Sequence, residues 1–215
     1  MWSISPCLLA EPNSQPRPGD TIVARIDALK RPQFDWSKRH DPAFRQPYFA
    51  EQDAYLQTRA ESAKELWEVE PTHPRALEPM LKRWREITGY GKLADALAEI
   101  DTVKASLPAH RWPDLDFNRA EITLMANQGN SEKMAAVGAA FAKAHSMDRR
   151  RGDLLMMAAS STPDRERWLS LGRRLATEYP TSPWAALARG IVRRGEGIGT
   201  PFELSFTDAI SGRHV

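Results

Sequence analysis

Few residue types in this chain could carry chemistry, and their spacing argues against most of it. Cys7 is the only cysteine, so no intrachain disulfide and no CxxC redox pair is possible within these residues. Set among prolines, it reads as an incidental thiol. The histidines His40, His73, His110, His145 and His214 are scattered, with no HExxH or paired-ligand spacing. A metal site has no basis in that pattern. Glu65, Glu68 and Glu70 lie close together, but acid–base work needs a second group of different proton affinity. They read as a solvated helix face.

The arginine runs Arg149-Arg150-Arg151, Arg173-Arg174 and Arg193-Arg194 would suit phosphate or nucleic acid if they formed one stripe. Asp148, Asp153 and Glu178 sit beside them and the net charge is only +2, so they read as solvated faces and helix C-termini. Gly195, Gly197 and Gly199 do not make a phosphate loop, because no strand precedes them and no Lys-Ser/Thr comes after. Trp67, Trp84, Trp168 and Trp184 would line either a ligand groove or a core. Three of them fall on apolar stripes and Trp184 starts one, which favours core packing. No catalytic, cofactor-binding or metal-ligating residue is assigned, and no cofactor is expected.

The elements that hold these residues are more legible. Hydrophobic content of 41% and charged content of 27% suit a folded soluble chain. No apolar run approaches the ~20 residues needed to span a membrane. Residues 1–10 lack the basic start and the apolar length of a signal peptide. Residues 1–47 are expected to be disordered or extended, with Pro6, Pro12, Pro16 and Pro18 near the start and one short helix at 20–29 carrying Ile22, Ile26 and Leu29. Residues 30–47 read as an extended stretch packed by Phe34, Trp36 and Phe44 onto the helical region that begins at Tyr48.

Over 48–194 the apolar period is helical. The stripes are Phe49, Leu56, Ala60, Ala63 and Trp67; Leu77, Met80, Leu81, Trp84 and Ile87; Leu93, Ala96, Leu97, Ile100 and Val103; and Phe117, Ala120 and Leu124. They continue as Met134, Val137, Phe141 and Ala144; Leu154, Leu155 and Ala158; Trp168, Leu171, Leu175 and Tyr179; and Trp184, Leu187, Ala188 and Ile191. Thr162 and Pro163 are placed at the start of one helix. Ser182 and Pro183 are placed at the start of the last, after Pro180 has ended its predecessor.

The helix-ending positions Pro71, Pro108, Ser146 and Pro180 are spaced by 37, 38 and 34 residues. That is close to the ~34-residue period of tetratricopeptide repeats, in which two antiparallel helices form each unit. The expected fold class is all-α: an antiparallel αα-hairpin, tetratricopeptide-like array with a short C-terminal β-hairpin.

Residues 195–200 read as a glycine-rich linker. After it, Phe202, Leu204 and Phe206 alternate with polar residues as a half-buried strand does. The pattern Phe202-x-Leu204-x-Phe206-x-Asp208-x-x-Ser211-Gly212-Arg213-x-Val215 resembles the opening β-hairpin of TlpA/ResA-like thioredoxin-fold proteins, the redoxin family. The upstream helices resemble the helical extension that precedes such domains in some bacterial proteins. The resemblance implies that 201–215 is the truncated start of a thioredoxin-like domain. It also implies a thiol–disulfide oxidoreductase parent and a cell-envelope or periplasmic setting. The family's WCxxC and central strands are not in this sequence, so no catalytic residue carries over and the chain itself is expected not to be an enzyme.

The expected function is a non-catalytic interaction or spacer module: a monomer that binds a protein partner, with no nucleic acid and no membrane insertion. The alternative is a small-molecule-binding or hydrolytic enzyme with its site in the helical groove, motivated by the surplus of tryptophan and arginine.

Overall fold

A computed structural model describes residues 17–197. Among them the fold is all-α, with nine α-helices, two short 3-10 turns and no strand. No helix among the described residues is long and apolar enough to cross a membrane. The expected hairpin over 201–215, the first sixteen residues with Cys7, and the linker beyond Gly197 lie outside the described residues. The chain divides into two compact units between Ile87 and Thr88.

The first unit begins with α1 (Pro18–Ala28), which starts at a proline whose missing N–H costs a first turn nothing. Its Ile22 packs with Leu66 and Ala76, flanked by Val23, Ile26 and Trp67. Next comes α2 (Pro42–Val69), which begins six residues before the expected start and runs through Pro47. The Asp41 side chain accepts from the Ala43 N–H at 2.9 Å, and Pro42 takes the first position. Phe34, Phe44 and Tyr48 cluster with ring centroids 4.9–6.0 Å apart, Phe44 stacked on Tyr48 and Phe34 edge-on to Tyr48. That cluster anchors the first turns and offsets the single backbone bond Pro47 removes.

Phe49, expected on the buried stripe, is 48% exposed, and Trp36 is exposed as well. The buried face of α2 is Ala60, Ser62, Ala63 and Leu66. On α3 (Leu77–Gly89) Leu77, Met80, Trp84 and Ile87 are buried, as their spacing predicts. Arg83 donates to the Ala60 carbonyl at 3.0 Å and Arg59 pairs with Glu86, tying α3 to α2.

The second unit holds α4 (Leu93–Ser106), α5 (Trp112–Ala126), α6 (Ser131–Ala144), α7 (Arg151–Ser160), α8 (Arg165–Glu178) and α9 (Ala185–Gly197). Consecutive helices pack on each other, and α5 also touches α7. The start of α5 meets the end of α6, where Phe117 contacts Phe141. The start of α8 meets the end of α9, where Arg165 donates to the Gly195 carbonyl. Gly129 takes φ +91° in the turn between α5 and α6, a conformation that favours glycine.

Four local expectations need correction here. Asp164, not Thr162, caps α8, accepting from the Arg167 N–H at 2.9 Å, while the Thr162 hydroxyl is buried without a partner. Ala144 and Leu187 are exposed, so the stripes of α6 and α9 are narrower than expected. Trp168 is only half-buried, and Leu169 takes the inner position. The glycine linker does not begin at 195, because Gly195 is buried against Leu169 and α9 continues to Gly197. The bare Cα lets α9 approach α8 closely enough to keep its final turn.

Candidate apolar cleft of the second unit

α9 begins at Ala185, two residues after the expected first position at Pro183, and Ser182 lies in the turn before it. The Ser182 hydroxyl accepts from the Trp184 N–H at 3.2 Å. That bond fixes Trp184, whose indole Nε1–H donates to Asp153 Oδ1 on α7 at 2.8 Å. Held in this way, the ring is 38% exposed and is not a core residue, contrary to the sequence reading. It forms one wall of a cleft of about 550 Å³.

Two helical stripes make the rest of the cleft. On α5, Phe117, Glu121, Leu124 and Met125 recur at helical spacing. On α7, Asp153, Met156, Met157 and Ser160 do the same, and Met134 of α6 also lines the cleft. Leu124 and Met134 are fully buried, whereas Met125, Met156 and Met157 are half-buried. The stripe Leu154, Leu155 and Ala158 is buried, as expected, on a different side of α7. The sequence reading missed the second stripe because it sought one apolar face per helix. The signal was present in Met156-Met157, directly beside the assigned face.

Beside the cleft an ionic network joins α5 to the α6–α7 turn. Arg150 stacks over Phe117 at 4.7 Å from the ring centroid. Its guanidinium donates to both Asp148 oxygens, at 3.0 and 2.6 Å, and to Asp114 at 3.0 Å. The Arg150 side chain holds the Asp148 carboxyl below its ordinary value, against the opposing effect of burial. Arg151 lies over Tyr179, Arg173 pairs with Glu196, and Arg174 pairs with Glu178. These arginines are therefore matched locally rather than gathered into one stripe.

The remaining candidates resolve in the same way. Glu65 pairs with Arg25, Glu68 lies 3.7 Å from Lys64, and Glu70 accepts from the Gly19 N–H at 3.0 Å. His73 is buried, and its Nδ1 accepts from the Arg75 N–H at 3.1 Å. The proton is thereby placed on Nε2, which donates to Asp20 at 3.1 Å. Both ring nitrogens are engaged in fastening α1 to the α2–α3 turn, which leaves neither for proton transfer. His145 contacts Asp116 at 3.0 Å and its ring lies 4.8 Å from that of Phe141. No group of three metal-ligating side chains occurs among the described residues.

No protein-family model, no curated protein and no solved structure matches the chain.

Proposed function

We propose that this chain is a non-catalytic helical-repeat module that binds a protein partner through the α5–α7–Trp184 cleft. The observation that carries the reading is the cleft itself. Half-buried methionines and an exposed tryptophan face solvent together, and contiguous apolar surface of this kind marks sites of association. Methionine suits such a surface, since its unbranched, polarisable side chain adapts to what it meets. The repeat reading draws support from helix ends at Val69, Ser106, Ala144 and Glu178, spaced by 37, 38 and 34 residues. It draws further support from the contact between α5 and α7, alternate helices that together line the cleft. Pairs stacked in this manner bury a continuous core while alternate helices present one face to a ligand. The resemblance of the 201–215 sequence to the opening hairpin of redoxins supports a place for the module on the N-terminal side of a thioredoxin-like domain.

The test is selection from a random peptide library on the immobilised full chain. Clones that bind wild type and lose binding to Met157→Lys are the expected result. A library that yields no clone sensitive to that change refutes the reading.

A further inference from the structure

We infer that the cleft takes a short amphipathic helix with basic residues beside its apolar face, a refinement that rests on the function proposed above. Length is the first constraint. The α5 stripe from Phe117 to Met125 covers eight residue steps, or about 12 Å at 1.5 Å per residue. Just over two turns of a ligand helix match that span and seat apolar side chains at i, i+4 and i+7.

Charge is the second constraint. Asp153 stands at the wall of the cleft and accepts its hydrogen bond from the neutral indole of Trp184. An indole N–H orients the carboxylate without cancelling its charge. No Lys, Arg or His is among the residues lining the cleft. The guanidinium of Arg150, which stacks over Phe117, is already held by Asp148 and Asp114. An apolar surface with a half-buried carboxylate in its wall favours a ligand that supplies the cation, because the pair forms where water is partly excluded. Trp184 adds an aromatic face beside the same carboxylate, where an Arg or Lys aliphatic stem can lie.

Three fluorescently labelled peptides test this on the full chain. All share one apolar stripe at i, i+4 and i+7, and the residues flanking it are Lys, Gln or Glu. The Lys peptide is expected to bind about tenfold tighter than the Gln peptide, and the Glu peptide more weakly than either. Asp153→Asn keeps an acceptor for Trp184 but removes that charge, leaving Glu121 as the other carboxylate in the lining, and it should narrow the gap between the Lys and Gln affinities several-fold. Met157→Lys should abolish binding of the Lys peptide. In case that variant fails to fold, methyl resonances of Met125, Met156 and Met157 in the wild-type chain should shift on titration with the Lys peptide.

Equal or tighter binding of the Gln or Glu peptide at the cleft overturns the charge inference and leaves the interaction module standing. The inference also falls if all three peptides fail while library clones still bind the cleft. An absence of library clones removes the module reading as well. Binding of the Lys peptide only after residues 198–215 are deleted would assign the cleft to the chain's own end, and would overturn the inference too.

Discussion

Adding one methyl group to α7 should destabilise the second unit, although the same change on α9 should stabilise it. At Gly152 a Cβ would lie 2.6 Å from Ser182 Oγ, 3.0 Å from Ser182 Cβ and 3.4 Å from Leu175 Cδ1. At Gly190 nothing lies within 4 Å of the same atom. Both glycines are helical, so alanine gains about 1 kcal/mol of propensity at either site. Gly190→Ala keeps that gain. Gly152→Ala must push Ser182 aside, and such overpacking costs ~1–3 kcal/mol. Displacing Ser182 also breaks its bond to the Trp184 N–H, worth about 1 kcal/mol as a helix-start contact.

The net expectation for Gly152→Ala is a loss of about 1–3 kcal/mol, opposite in sign to Gly190→Ala. Urea unfolding followed by circular dichroism reads both changes as shifts in midpoint at unchanged slope. Ser182→Gly removes the two nearest obstructing atoms and costs only about a few tenths of a kcal/mol by itself. Combined with Gly152→Ala it should recover much of the loss, a positive coupling between the two sites. Equal stabilisation by both glycine substitutions would show that α7 does not approach the α8–α9 turn as closely as these distances require.

Two further outcomes test the burial pattern and the ionic network. Trp84→Ala, at a side chain with 0% exposure, should cost ~3–5 kcal/mol, whereas Trp184→Ala should cost under about 1.5 kcal/mol, both by chemical denaturation. Asp148→Asn should be less stable than wild type at neutral pH. The carboxyl's affinity for its proton is depressed in the folded chain, so its contribution is present above the unfolded value near pH ~4 and is lost as pH falls through the folded value. The difference between the two proteins should therefore shrink in acid.

Most of the helical architecture was legible because apolar spacing reports which face of a helix is covered. The α3 stripe is the clearest case, with Leu77, Met80, Trp84 and Ile87 all buried. Misreadings occurred where a local rule met a tertiary contact. Pro47 looked like a boundary, but the aromatic cluster of Phe34, Phe44 and Tyr48 holds the turns around it. Gly195 looked like linker, but its missing side chain is what lets the end of α9 lie on Leu169. Thr162 had the right chemistry for a cap, yet Asp164 stood closer to the first free N–H groups.

The site was harder to see because a cleft is formed by second faces. Within α5, Leu115, Asn118 and Ile122 are buried in addition to the expected Ala120 and Leu124. Each set keeps its own three-and-four spacing, so one pattern hides the other. On α7 the inner stripe of Leu154, Leu155 and Ala158 belongs to the core, and Met156 and Met157 pack half-buried against the edge of that core while lining the cleft. Two half-buried methionines beside an indole fixed by a carboxylate are the features on which the proposed docking of another apolar face rests. The Trp184–Asp153 bond joins the α8–α9 hinge to α7, so the element that breaks the helical path also completes the wall of the cleft.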